Sequence, residues 1–152
     1  MAEVEAQPDR ALRRLARQVA LQALYECDAV RHPIGAVVER LSQAGELPPE
    51  AADLARRLVA GVTARLPEID AQIAAAAPTW PLAQMARVDK NVLRLAIYEA
   101  FVDNAAVPAR AAINDAIELA KTFGSDSSIK FVNGVLATLA ERRPRRALGG
   151  SG

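Results

Sequence analysis

Aromatic residues, cysteine and histidine are scarce in this chain, and each scarcity excludes a class of structure. Aromatic residues make up 4% of the 152 residues, although hydrophobic residues make up 51%. The core must therefore be aliphatic and rich in alanine, which favours packed helices over strands. The single cysteine, Cys27, allows no intrachain disulfide and no cysteine-based metal cluster. The single histidine, His32, precedes Pro33 and marks the end of a helix rather than a metal site.

Long apolar runs, a large net charge and catalytic motifs are also missing. No apolar run approaches the ~20 residues of a membrane span, and the acidic N-terminus has no apolar signal segment, so we expect a cytoplasmic protein without membrane contact. The net charge is +1, so nucleic-acid binding would require a local basic pattern. With no Gly-rich phosphate loop and no His–Glu metal spacing, the sequence predicts no enzyme, no cofactor and no metal.

Helix start and stop signals recur along the chain, and no segment shows the period-2 alternation of a strand. The predicted class is all-α, with about seven helices in two small bundles packed together. A helix or turn at 67–77 and a short helix at LAQM are expected beside the longer helices. Those longer helices are predicted at about 10–30, 34–44, 49–66, 90–104 (capped by Asp89), 108–123 and 127–142.

The strongest break in the chain is the segment Pro78-Thr79-Trp80-Pro81. It predicts an N-terminal bundle at 1–77, a C-terminal bundle at 78–146 and a flexible tail at 147–152. Trp80 stands between two prolines, and we interpret it as a plug at the hinge between the bundles rather than as part of a ligand site.

The first predicted helix carries a row of arginines on one face, at the spacing i, i+3, i+4, i+7. No acidic residue lies between Arg10 and Tyr25, so the helix is expected to present four unneutralised guanidinium groups to solvent. Because like charges repel along a helix, such a row is more easily explained if an anion binds there. The row consists of Arg10, Arg13, Arg14 and Arg17. The opposite side, predicted to be buried, carries Leu12, Leu15, Ala16, Val19 and Ala23.

Tyr25 extends the arginine face by two turns. Arginine suits bidentate contact with phosphate, and a tyrosine ring can stack on an unpaired base, worth about 1–3 kcal/mol. The combination favours single-stranded RNA over duplex DNA. The pattern alone is equally compatible with a solvated basic face and a Tyr25 half-buried against a neighbouring helix.

Four motifs cover most of the chain. RRLARQVALQALYE lies near the N-terminus, and VDKNVLRLAIYEA, VPARAAINDAIELAKTFG and SSIKFVNGVLATLAE follow in the second half. INDAIELAK and FVNG are highly specific in combination at this spacing. On these motifs the chain resembles the NusB family of transcription antitermination factors, with only residues 31–66 weakly distinctive.

The resemblance implies two three-helix bundles and binding of the boxA element of ribosomal RNA leader transcripts. It also implies pairing with NusE, a small-subunit ribosomal protein, and entry of the pair into the antitermination complex on RNA polymerase. The RNA-binding residues carried over by motif are Arg10, Arg13, Arg14, Arg17, Tyr25, Lys130, Phe131 and Asp89. Two candidates for NusE contact on the second bundle are Arg94 and Glu99.

Two other functions stay open at this point. The same helical module occurs at the N-terminus of ribosomal RNA cytosine methyltransferases, which would require this chain to be a fragment of a reading frame that continues past Gly152. Alternatively, the chain is a purely protein-binding helical adaptor whose arginines pair with an acidic partner.

Overall fold

Seven α-helices make up the described part of the chain, for which a computed structural model gives residues 10–30, 32–103 and 108–142. A 3₁₀ turn at Leu82–Gln84 precedes the fifth helix, and a π-helical turn at Tyr98–Val102 continues it. The prediction of an all-α fold is confirmed. The helices are α1 (Arg10–Ala29), α2 (Ile34–Ala44), α3 (Pro49–Ala64), α4 (Leu66–Ala76), α5 (Arg87–Ile97), α6 (Ala109–Phe123) and α7 (Asp126–Arg142).

Prolines mark the beginnings of four helices. Pro33, Pro48 and Pro108 immediately precede α2, α3 and α6, and Pro67 lies in the first turn of α4. Proline is tolerated there because the first amides of a helix have no intrahelical acceptor. These local signals explain why the predicted starts agree with the structure to within about a residue.

The predicted start of α5 is wrong by three residues. Asp89 does not cap the helix: α5 begins at Arg87 after Ala86, and Asp89 lies inside the first turn. A carboxylate in the first turn also suits the positive end of the helix dipole, so its presence near a helix start does not identify the cap.

The helices pack around one continuous aliphatic core. α1 lies against α2, α3 and α5, while α5 lies against α4, α6 and α7. Among the described residues, Phe101 is the one aromatic side chain in the buried core, as the composition predicts. α4 contacts α5 and α7 as well as α3, and the domain boundary at 77/78 stays a prediction.

Gly61 of α3 lies directly against the ring of Tyr98 in the π-helical turn. A Cβ added at Gly61 would overlap three atoms of that ring. Glycine is therefore required here by the close approach of two elements rather than by a turn.

We expect Gly61→Ala to lower the free energy of unfolding by about 1–3 kcal/mol, because the Tyr98 ring must shift within a packed interface. Gly134→Ala is the matched control, since a Cβ there meets nothing within 4 Å. That control should raise stability by up to ~1 kcal/mol through helix propensity. Urea denaturation measures both, and equal effects of the two substitutions would contradict the packing argument.

Candidate nucleic-acid interface

The four arginines of α1 differ in exposure. Arg10 and Arg14 are exposed, Arg13 is partly buried, and Arg17 is 3% exposed. Leu15, predicted to be buried, is 38% exposed. The buried face of α1 is therefore rotated towards the arginines relative to the prediction, and only part of the row faces solvent.

The predicted exposure is wrong for Arg17, which is buried, and holds only in part for Arg13. Its Nε and Nη2 donate to Oε1 and Oε2 of Glu99 at 2.8 and 2.9 Å. Glu99 lies in the π-helical turn after α5, 82 residues away along the chain, and is itself 3% exposed. No acid near Arg17 in the sequence could reveal this partner, so the neutralisation comes from tertiary structure.

Asp115 of α6 extends this ion pair to Arg13. Its Oδ2 lies 3.1 Å from Nη1 of Arg17 and 3.9 Å from Nη2 of Arg13. Burial raises the pKa of the Glu99 carboxyl, while the hydrogen bonds from Arg17 oppose that rise. The two inner arginines thus tie α1 to α6 and to the π-helical turn, which holds the outer arginines in a defined orientation.

A groove of about 770 Å³ lies between the first turns of α1 and the last turns of α6. Arg10 and Arg14 line it from α1, and Lys121 lines it from α6; all three are exposed. The groove also contains the carboxylates of Asp115, which is paired with arginine, and Glu118. Cations therefore outnumber acids along the groove, although the whole chain carries a net charge of only +1. Such a local excess can attract a phosphate backbone.

Tyr25 lies near the other end of α1 and is 40% exposed. The guanidinium carbon of Arg87, at the start of α5, is 5.8 Å from the ring centroid, within the range of a cation–π contact. Asp28 anchors this end of α1 to α5 through Lys90, at 3.1 Å, and Asn91. Although burial opposes ionisation, those two hydrogen bonds lower the pKa of Asp28.

Of three further residues predicted for binding, Asp89 is buried and Arg94 and Glu99 are ion-paired within the fold. Asp89 is 9% exposed, and its buried Oδ1 has no hydrogen-bond partner among the described residues. Arg94 is partly buried and donates to both carboxylate oxygens of Asp70, at 2.8 and 2.9 Å. Glu99 holds Arg17. Asp89 and Glu99 pack inward from α5 and its continuation and are buried, so their predicted contacts with RNA and NusE stay predictions.

Lys130 and Phe131 lie side by side on α7, with Lys130 exposed and Phe131 partly buried. The Phe131 ring meets Trp80 with centroids 5.9 Å apart at 46°. Trp80 is 52% exposed, so the prediction that it plugs a hinge is wrong. The two prolines around it, Pro78 and Pro81, place it in an exposed connection between α4 and α5.

A short segment links the two aromatic contacts. Trp80 touches Phe131 and Arg87 touches Tyr25. Arg87 follows Trp80 by seven positions, so the segment between them spans at most about 25 Å. The arginine groove, the Tyr25 contact and the Phe131 contact remain three distinct clusters. Their use as one composite site stays a prediction.

The sequence reasoning missed Lys121, Arg87 and the exposed Trp80. Asn114, Glu118 and Lys121 share one helical face by their spacing, which was an available signal for Lys121. That this face meets α1 is a property of helix packing alone.

Within the described ranges, no helix is long and apolar enough to cross a membrane, and no cluster of His, Cys, Asp and Glu could hold a metal ion.

We expect Arg17→Met to lower the free energy of unfolding at pH 7 by about 3–5 kcal/mol, because Glu99 would be buried without its cation. The loss of Arg17 removes the main interaction that lowers the pKa of Glu99. An acid whose pKa is raised in the folded state loses its contribution to stability as pH rises. The penalty should therefore be smaller at pH 5 than at pH 7 in urea titrations.

Two controls separate this charge effect from general damage. Arg17→Met combined with Glu99→Leu should recover most of the lost stability, since no unpaired charge then remains. Arg56→Met removes an exposed arginine paired with Glu39 and should cost at most ~1 kcal/mol. A double variant no more stable than Arg17→Met would contradict the assignment.

Comparisons with known proteins agree with this architecture. A profile of the NusB family matches residues 14–141. Transcription antitermination protein NusB of Roseiflexus castenholzii is 47% identical over 139 residues, which are 91% of this chain and 98% of the relative. The Herpetosiphon aurantiacus protein of the same name is 47% identical over 133 residues, covering 86% of this chain and 91% of the relative. These names describe antitermination proteins, not enzymes.

Solved structures show the same fold. Thermotoga maritima NusB superposes with a TM-score of 0.80 and 31% identity, covering 91% of this chain and 95% of that one. A crystal structure of antitermination factors NusB and NusE in complex with double-stranded RNA contains a chain with a TM-score of 0.80 and 25% identity, covering 89% of this chain and 100% of that one. On profile, sequence and structure together, this chain belongs to the NusB family.

Proposed function

We propose that this protein binds boxA-type single-stranded RNA of ribosomal RNA leader transcripts together with NusE, and that the pair joins the antitermination complex on RNA polymerase in the cytoplasm. The observation that carries the proposal is the cationic groove between α1 and α6, where Arg10, Arg14 and Lys121 are exposed. Its family supports RNA and NusE binding in general, since a related NusB chain has been solved with NusE and double-stranded RNA.

The arginines divide into two groups in this proposal. Arg10 and Arg14 contact phosphates, because their guanidinium groups are exposed and no carboxylate precedes them in the helix. Arg13 and Arg17 act as positioning residues, since they are held by Asp115 and Glu99. A substitution at Arg17 therefore tests the fold as well as binding, whereas Arg10 and Arg14 can be changed without opening the core.

Accessible rings favour single-stranded over duplex RNA: Tyr25 is exposed, and Phe131 is partly buried. Tyr25 and Phe131 can stack only on bases that are not already stacked within a helix, and Lys130 provides a phosphate contact beside Phe131. The Arg87 guanidinium over the Tyr25 ring adds a planar cation at that position. We retain Asp89 only as a residue that supports the start of α5, because it is buried.

NusE is the proposed protein partner, and its contact residues remain to be mapped. Arg94 is a weaker candidate than its sequence position indicates, since Asp70 already neutralises it. The chain matches 98% of the length of a curated antitermination relative, which supports the antitermination function over that of the methyltransferase module.

The proposal is tested by titrating a boxA RNA and a scrambled RNA of equal length, with and without NusE, over a salt series. We expect tighter binding of boxA in the presence of NusE, and a linear fall of log K with log salt concentration. Equal affinity for the two RNAs with NusE present would refute sequence-specific binding.

Arg10→Ala and Arg14→Ala should each weaken boxA binding at low salt and reduce the salt slope by about one unit, the effect of removing one phosphate contact. Arg56→Ala removes the same charge from an exposed site on α3 and should leave the slope unchanged. Fluorescence anisotropy of labelled RNA gives both quantities. If Arg56→Ala has the same effect, the attraction comes from overall charge and not from the groove.

A further inference from the structure

Trp80 is the most exposed large hydrophobic side chain in the described part of the chain, at 52%. It is also the only tryptophan of the protein. Exposure of the apolar indole to water is unfavourable, and burial of the ring would remove that cost in free energy. Contact with Phe131 accounts for one part of the ring, and the exposed half is not used in packing within the described residues.

The indole is held in place rather than free to move with its loop. Its ring meets Phe131 of α7 at 5.9 Å and 46°, a geometry within the range of favourable aromatic pairs. The amide of Trp80 donates to the carbonyl of Ala77, and Arg142 of α7 donates to the carbonyl of Ala75. These contacts fix the connection after α4 against α7, so the exposed part of the ring presents a preformed surface.

The surroundings of Trp80 favour a base over a protein partner. Protein interfaces of useful affinity have a broad apolar centre, but the exposed residues next to the two rings in the sequence are Thr79, Pro81 and Lys130, of which only the proline is apolar. A small ring pair with a lysine next to Phe131 in the sequence suits a base that stacks on the rings and a phosphate that the lysine can reach.

Trp80 also lies on the segment that leads to the Tyr25 contact. Arg87, seven residues on, covers Tyr25, and the linking segment spans at most about 25 Å. An extended RNA strand of a few nucleotides could therefore pass from one aromatic contact to the other.

We propose that Trp80, paired with Phe131, forms a stacking surface for one unpaired base of the bound RNA. This inference rests on the proposed function, because it names an additional contact of the same RNA. It assigns Trp80 a role in RNA binding. Phe131 takes a second role besides its own proposed contact with RNA, which is to pack against the indole and hold it in place.

The test uses the full chain with NusE and boxA RNA. Trp80→Ala should raise the Kd for labelled boxA RNA by between about 5-fold and 100-fold, the range expected for the loss of one stacked base. Trp80→Phe retains a ring and should lose less affinity than Trp80→Ala. Thr79→Ala, the neighbouring exposed residue, is the control and should bind as the unmodified protein does. Thermal unfolding of each variant checks that the fold is unchanged.

The emission of Trp80 provides an independent readout, since no other residue of this chain is a tryptophan. Addition of boxA RNA to the NusE complex should quench that emission, with the Trp80→Phe complex as the background. Unchanged affinity in Trp80→Ala together with unchanged emission would overturn the inference and leave the proposed function standing. Quenching by NusE alone, with no further change on RNA addition, would assign Trp80 to the protein interface and also overturn it. If the unmodified protein binds no RNA, the proposed function itself fails.

Discussion

The buried ion pair between Arg17 and Glu99 determines how α1 sits in this protein. A buried charge is tolerated only with a partner in good geometry, and the bidentate contact at 2.8 and 2.9 Å provides it. Because Glu99 belongs to the π-helical turn after α5 and Asp115 to α6, the pair fixes the rotation of α1 against both. The outward direction of Arg10 and Arg14 follows from that rotation.

This protein carries exposed positive charge along one groove, while cations on α5 are neutralised by carboxylates of the fold. Asp28 binds Lys90, and Asp70 binds Arg94, so these cations of α5 are committed to the fold. In the groove between α1 and α6, Arg10, Arg14 and Lys121 are exposed, while Asp115 is occupied by the inner arginines. A chain of nearly zero net charge thus acquires a local basic surface, which is the requirement for phosphate attraction without general adhesion to polyanions.

Scarce aromatic residues take on separate tasks in this structure. Phe101 fills the core, whereas Tyr25 and Trp80 are exposed and each contacts one planar group, Arg87 or Phe131. The core is built from aliphatic side chains, so its packing does not require aromatic rings at the surface. The exposed rings therefore indicate function more directly than they would in a protein rich in aromatics.

The sequence by itself determined the helices and the family, and only the tertiary structure decided the roles of single residues. Proline and cap signals act within a few positions, so helix starts such as those at Ile34 and Pro49 were predictable. Burial and counterions depend on residues far along the chain. Arg17 pairs with Glu99, 82 positions away, and Trp80 contacts Phe131 of α7 while half of the side chain stays exposed. Helical spacing in the sequence predicts that the arginines share a face, but packing against the neighbouring helices determines which of them are exposed to solvent.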